Sequence, residues 1–282
     1  MQNNETACLA EHWTSLSQNR KSGPQSALFW DRRAEGFSRR IKGDRKEKRT
    51  DEVLGIIKST GLDFDGAEVL DIGCGPGTFA IPLARMGAKV TALDISEQML
   101  KHLQERTAEE NISSIRTLQS SWDEIDIDAQ GFRGGFDLVM ASMTPGINSP
   151  ESFEKMMQAS RRVCYYSNFV SRKWDASYYD LYQSLFGEKF ADGGHGFHIP
   201  FMYLYSLGYR PAMKLSKRGW ESDETVQSMV DTVSGFFSGR KDVNDEMKAR
   251  MKKYFEERAT DGMYHSTSES ITGIMVWEKN GR

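Results

Sequence analysis

A glycine-rich turn and an aspartate further along the chain could together bind a nucleoside-type ligand. Residues 73–77 read Gly-Cys-Gly-Pro-Gly, and Asp94 follows in the same segment. Glycines let the backbone bend sharply and leave no Cβ in the way of a ligand. A helix that starts after such a turn offers free N–H groups to an anion. Asp94 could accept hydrogen bonds from both hydroxyls of a ribose.

The elements around this turn predict a strand, a helix and a second strand. Residues 69–72 form a short apolar run interrupted by Asp71, residues 78–86 have helical spacing, and Gly87 is typical of a helix end. Residues 89–93 form a second apolar run that ends at Asp94. This order is typical of one βαβ half of a doubly wound sheet.

Two classes of cofactor use such a turn. The glycines at 75 and 77 with Ala80 fit the relaxed dinucleotide pattern, so a nicotinamide or flavin stays open on spacing alone. The fuller pattern at 71–78, Asp-Ile-Gly-Cys-Gly-Pro-Gly-Thr, resembles motif I of the class I S-adenosylmethionine (SAM) methyltransferases. Residues 90–96 resemble the next motif of that family.

The resemblance implies the fold, the cofactor and the residues that bind it. The expected fold is α/β, a doubly wound and mostly parallel seven-stranded sheet with N-terminal helices and a helical insertion or cap. The expected cofactor is SAM, with S-adenosylhomocysteine (SAH) as the product. The expected cofactor-binding residues are Asp71, Gly73, Cys74, Gly75, Gly77, Asp94, Ile95, Ser121, Trp122 and Ala141. For Trp122, packing in the core is the alternative.

Aromatic and histidine side chains are candidates for the pocket of the methyl acceptor. In small-molecule members of the family, an aromatic residue before motif I closes over the sulfonium and the acceptor, and a cation near an aromatic face is favourable. Ordinary packing is the alternative for these aromatic residues. The pocket candidates are Trp30, Phe37, Thr144, Tyr178, His195 and His198. The two histidines are also the candidates for a catalytic base.

No metal site is expected, although two histidines three positions apart could ligate a metal. His195 and His198 lie in a glycine-rich segment without a third ligand nearby in the sequence. The chain has 3 cysteines, and none of them forms a C-x-x-C pair.

Composition sets broad limits on the protein. The chain has 282 residues, 38% of them apolar, and a net charge of −3. This charge argues against nucleic acid as a partner, although the basic segment 39–49 keeps RNA open. The N-terminus lacks a secretory signal and no apolar run is long enough to span a membrane, so we expect a cytoplasmic protein without membrane association.

We expect a single methyltransferase domain over residues 1–282. Its expected parts are an N-terminal helical cap (1–60), a SAM-binding core (61–172), an acceptor-pocket insertion (173–210) and C-terminal strands and helices (211–282). We also expect a helix that begins near Ser222 or Asp223, and a closing strand over residues 270–278 at the edge of the sheet.

The resulting hypothesis is a SAM-dependent methyltransferase that acts on a small molecule by in-line displacement. The alternatives are an RNA or protein methyltransferase with the same SAM site, a nicotinamide-dependent oxidoreductase, and a protein that binds SAM without catalysis. The sequence leaves the acceptor and the oligomeric state open.

Overall fold

The computed structural model of the protein describes residues 2–18, 26–31, 33–39, 44–190, 196–238 and 241–281. The helices are α1 (Gln2–Gln18), α2 (Ala27–Asp31), α3 (Ala34–Arg39), α4 (Asp44–Lys58), α5 (Ala80–Arg85), α6 (Glu97–Glu109), α7 (Pro150–Ala159), α8 (Ala176–Phe186), α9 (His198–Ser206), α10 (Val226–Ser238) and α11 (Asp245–Glu256). The strands are β1 (Glu68–Ile72), β2 (Lys89–Asp94), β3 (Ile115–Gln119), β4 (Phe136–Ser142), β5 (Ser160–Lys173), β6 (Ala212–Thr225) and β7 (Met263–Glu278).

The strands of the described residues form one seven-stranded sheet in the order β3-β2-β1-β4-β5-β7-β6. The pairs β1-β2, β1-β4, β2-β3 and β4-β5 are parallel. Ile72, the last residue of β1, lies beside Leu93 of β2 and Ala141 of β4. The carboxyl ends of these three strands are therefore level, and the predicted doubly wound fold is confirmed.

The position of β7 corrects one prediction. We expected the closing strand at the edge of the sheet, but β7 lies between β5 and β6, and β6 is the edge strand. β7 also begins at Met263, earlier than the apolar run that suggested it. Sequence periodicity identifies a strand but carries no information about which remote strand pairs with it.

The strand β6 is also longer than its sequence suggests. A helix was expected to begin at Ser222 or Asp223, but β6 continues to Thr225 and α10 begins at Val226. The long strand lies beside β7 in the sheet, and the Lys217 amine is 3.2 Å from the Glu269 carboxylate of β7. Tertiary pairing here overrides a local capping preference.

Two compact units make up the described chain. Unit 1 comprises Met1–Asn168, Phe197–Lys214 and Gly273–Arg282, and unit 2 comprises Phe169–Gly196 and Leu215–Thr272. Residues 173–210, expected as one acceptor-pocket insertion, are thus divided between the units. The single-domain organisation stays a prediction.

The core of unit 1 explains why its central strands are so apolar. Val69, Leu138 and Val90 have at most 2% of their surface exposed, as expected for parallel strands covered on both faces. Val53 and Ile57 of α4 belong to the same apolar cluster.

Local signals fix the helix starts. The Ser96 hydroxyl accepts a hydrogen bond from the Met99 N–H at 3.1 Å and caps α6, as predicted. Ser149 caps α7, with Pro150 at its first position. The helix after the glycine turn is shorter than predicted, because the turn continues through Phe79 before α5 begins.

We expect Gly77→Ala to destabilise the protein more than Gly66→Ala does. Both glycines have a positive φ, +86° and +72°, which strains any L-residue. A Cβ on Gly77 would lie 2.4 Å from the Leu103 Cδ1 atom, whereas one on Gly66 would meet nothing within 4 Å. Urea unfolding should show a cost for Gly77→Ala that exceeds the control by about 1–3 kcal/mol. Equal costs would contradict the packing role.

Candidate functional site

A cavity of about 490 Å³ opens at the carboxyl ends of the central strands of unit 1. All of its lining residues belong to that unit. They come mainly from the glycine turn after β1, the loop after β2, the segment after β3 and the loop after β4. In doubly wound sheets this is the edge at which ligands bind.

The glycine turn is held against β2 by its own backbone. The N–H groups of Gly73 and Cys74 both donate to the Leu93 carbonyl, at 2.7 and 3.0 Å. A Cβ on Gly73 would lie 2.1 Å from the Thr144 Oγ1 atom, so the glycine lets the turn meet the loop after β4. A Cβ on Gly75 would meet only the Met99 sulfur, at 4.0 Å, so the turn leaves open space at that point.

Asp94 links the turn to the start of α6. One carboxylate oxygen accepts from the Gly75 N–H at 2.8 Å, and the other accepts from the Ser96 N–H at 2.9 Å. Burial raises the pKa of Asp94, and these backbone hydrogen bonds counteract that rise. Each carboxylate oxygen can accept more than one hydrogen bond, so Asp94 retains capacity for ligand hydroxyls.

Asp71 lines the same cavity as a buried acid that is only partly satisfied. Its side chain is 2% exposed, and its Oδ2 atom is buried without a hydrogen-bond partner in the described structure. Burial and the nearby Asp94 carboxylate raise the pKa of Asp71 to about 7, against a hydrogen bond from the Ala80 N–H. A cationic donor in the cavity would satisfy this oxygen.

Arg49 is the only Lys, Arg or His among the cavity residues in the described part of the chain. It lies near Tyr165: burial raises the pKa of that phenol, and the Arg49 charge is one of the smaller effects that lower it. In the sequence, Arg49 stands out only as one of the basic residues of segment 39–49. The available signal was its spacing of four residues before buried Val53, which places both on one face of α4. The other basic side chains of that segment lie outside the described residues.

Two predicted aromatic residues line the cavity. The Trp30 ring lies 5.1 Å from Phe29 and 5.8 Å from Phe37 between ring centroids. The neighbouring Asp31 carboxylate accepts from the Ser96 hydroxyl at 2.6 Å, which fastens α2 to the start of α6. Trp30 is thereby placed beside the loop that carries Asp94.

Trp122, in the segment after β3, is both a cavity residue and a core residue. This side chain lines the cavity, yet it is 2% exposed and its indole N–H donates to the Ser152 carbonyl at 2.9 Å. Trp122 is thus a core residue that borders the cavity. Asp123 and Glu124 also line the cavity and were missed, because acids in a loop carry no distinctive pattern.

Most of the predicted site residues meet in this one cavity. The predicted residues that line it are Asp71, Gly73, Cys74, Gly75, Asp94, Ile95, Ser121, Trp122, Trp30, Phe37 and Thr144. The Cys74 thiol is buried, and burial followed by the charges of Asp71 and Asp94 raises its pKa well above the ordinary value.

Four predicted residues lie elsewhere, and one falls outside the described structure. Gly77 packs against α6, and Ala141 is fully buried within β4. Tyr178 belongs to the aromatic core of unit 2, where its ring lies 4.9 Å from Trp174. His198 is the first residue of α9, and His195 falls outside the described residues.

The described residues contain no group of His, Cys, Asp and Glu side chains that could hold a metal ion. Within the same residues, no helix has the length and apolar character needed to cross a membrane.

Residues 69–165 match the family model described as a methyltransferase domain. This segment, which contains the glycine turn and Asp94, is thereby identified as a methyltransferase domain of the class I SAM-dependent type. The cofactor of this family is SAM, which replaces the nicotinamide alternative left open by glycine spacing. The buried Asp71 oxygen and the open space beside Gly75 fit the amino-acid end of such a cofactor.

The relatives found by sequence cover different shares of the chain. An uncharacterized protein of Haemophilus influenzae is 24% identical, over 89% of this chain and 88% of its own. A ubiquinone biosynthesis O-methyltransferase of Xanthomonas euvesicatoria is 38% identical over 65 residues, which are 23% of this chain. That match spans only 27% of the Xanthomonas protein.

Solved structures align with the chain at low sequence identity. A candidate methyltransferase of Bacillus halodurans aligns with a TM-score of 0.51 and 14% identity, over 81% of this chain and 99% of its own. Magnesium protoporphyrin IX methyltransferase of Synechocystis, crystallised with SAH, aligns with a TM-score of 0.47 and 19% identity, over 84% and 94% of the two chains.

We expect Asp71→Asn to stabilise the ligand-free protein, and more so at pH 8 than at pH 5.5. The pKa of Asp71 is raised from 3.8 to about 7, so the folded chain holds this proton more tightly than the unfolded chain does. The stability of the wild type should therefore decline as the pH rises from about 4 to about 7. Asn cannot ionise, so Asp71→Asn should lack this part of the decline.

Thermal unfolding of both proteins across this pH range measures the difference. Asp51→Asn, at an exposed position of α4, is the matched control for the loss of one carboxylate charge. A pH-independent effect of Asp71→Asn would show that the buried carboxyl titrates normally.

Proposed function

We propose that this methyltransferase transfers the methyl group of SAM to a small molecule by in-line displacement. The observation that carries the proposal is the cavity in unit 1, which brings buried Asp71 and Asp94 together at the ends of adjacent parallel strands. Its volume of about 490 Å³ falls within the range of small-molecule sites.

The cavity offers a separate environment for each part of the cofactor. Asp71 would accept from the ammonium group of the methionine end, and Arg49 would donate to the carboxylate of that end. Asp94 would accept from the ribose hydroxyls. Ile95, Ser121 and Trp122 would border the adenine.

The acceptor would bind beside the aromatic residues of the cavity. The electron-rich faces of Trp30 and Phe37 favour a neighbouring cation, and Thr144 provides a hydroxyl close to the glycine turn. SAM supplies a methyl group on a sulfonium, a leaving group that needs little help from an acid. The task of the chain is therefore to hold both reactants in line and to exclude water.

The site does not require a general base for every acceptor. Among the described cavity residues there is no His, Tyr or Lys. A base is needed only where the acceptor must lose a proton before it attacks. For such an acceptor, Asp123 and Glu124 are carboxylates of the described lining that could take the proton.

Calorimetric titration of the purified protein with SAH, with NAD as the parallel ligand, tests the cofactor site. We expect binding of SAH in the micromolar range and no binding of NAD. Binding of NAD alone would overturn the proposal.

A screen of acceptors with labelled SAM then separates an enzyme from a protein that only binds SAM. Salt-sensitive methylation of RNA in that screen would replace the small-molecule assignment.

We expect Asp94→Ala to weaken SAH binding by about a hundredfold or more, because charge-assisted hydrogen bonds are worth roughly 1.5–3 kcal/mol each. Asp94→Asn is the matched variant, since it retains one acceptor oxygen and should lose less affinity. Circular dichroism of both variants controls for loss of the loop contacts to Gly75 and Ser96. Unchanged affinity in Asp94→Ala would refute the ribose assignment.

A further inference from the structure

The edge strand β6 is exposed along most of its length. None of its residues is buried, and Leu215 and Trp220 are 52% and 41% exposed. In the described part of the chain, β7 is its sheet neighbour, and no other strand pairs with its outer edge. Long exposed edge strands with apolar side chains are prone to pair with another strand, and natural proteins usually cover or interrupt them.

Gly219 lies in the middle of this strand, and neither its backbone conformation nor its described surroundings require a glycine there. Its φ is not in the left-handed region, and a Cβ placed on it would meet only the Ser268 carbonyl oxygen, at 3.9 Å. Glycine in a strand weakens that strand, and it often marks a place where another backbone approaches closely.

The charged residues of β6 change sign at Gly219. Lys217 and Arg218 precede it, whereas Glu221 and Asp223 follow it. When two copies of such a strand run antiparallel, the basic half of each faces the acidic half of the other. This is the self-complementarity that a twofold interface requires.

We propose that residues 215–223 pair with the same residues of a second copy of this chain, antiparallel and centred on Gly219. In this register Lys217 lies opposite the partner's Glu221, and Arg218 lies opposite the partner's Trp220. Opposite charges and a cation over an aromatic ring are favourable cross-strand pairs, and the twofold axis produces each pair twice.

The existing contacts of β6 are compatible with this pairing. The Lys217 amine lies 3.2 Å from the Glu269 carboxylate on β7, and the two side chains are 65% and 52% exposed. An ammonium group has three donors, so Lys217 can reach a second carboxylate without losing the first. Pairing would also satisfy the outward backbone N–H and C=O groups of the strand.

The mass of the full-length protein in solution tests the association. Sedimentation should give twice the chain mass of 32.0 kDa at micromolar concentration. Lys217→Glu and Glu221→Lys should each weaken the dimer at least tenfold, since each places two like-charge pairs in the interface. The double variant should restore the dimer, which a purely local effect on folding would not do. A folded monomer at all concentrations would overturn the proposal.

A disulfide cross-link tests the register. In a background with Cys8→Ser, Gly219→Cys places two thiols directly opposite each other, at a separation that a disulfide can bridge. Ser222→Cys is the control, because its own copy would lie about 20 Å away along the strand. We expect a covalent dimer only from Gly219→Cys. Equal cross-linking of both variants, or of neither, would refute pairing centred on Gly219.

Discussion

The site depends on the contacts of one buried carboxylate, that of Asp94. Its two oxygens accept from the Gly75 N–H and the Ser96 N–H, and so hold together the turn after β1 and the loop after β2. Ser96 in turn caps α6 and donates to Asp31 beside Trp30. The glycine turn, the start of α6 and the aromatic segment before the sheet are thus fixed relative to the same group.

The neighbouring Asp71 differs from Asp94, because one of its carboxylate oxygens lacks a hydrogen-bond partner in the described structure. Its Oδ2 atom is buried beside a second acid and has no partner in the described structure, so the folded chain bears a cost that a cationic ligand group would remove. Local violations of good packing and pairing are characteristic of functional sites. The combination of a satisfied and an unsatisfied carboxylate in one cavity is what a ligand with both hydroxyl and ammonium groups would need.

The sequence predicted those parts of the fold and site that local pattern encodes. The turn at 73–77, Asp94 and the cap at Ser96 depend on short-range chemistry, and the structure joins them through the Asp94 carboxylate. The position of β7 and the length of β6 depend on pairing between remote segments. Gly77 was assigned to the cofactor site because glycine serves close packing and ligand approach equally well. Tyr178 was assigned to the acceptor pocket because an aromatic-rich sequence does not reveal whether it forms a pocket or a core. Arg49 was overlooked because the charged residues around it concealed its place on the buried face of α4.

The most direct test of this account is the number of protons released when SAH binds at pH 7. Calorimetric titration in buffers of different ionisation enthalpy measures this number. If the ammonium group of the ligand meets Asp71, its carboxyl must ionise, and the wild type should release on the order of half a proton per SAH bound. Asp71→Asn should lose this release and bind SAH more weakly. Equal proton release from both proteins, with equal affinity, would contradict the assignment of Asp71 and with it the orientation of the cofactor in the cavity.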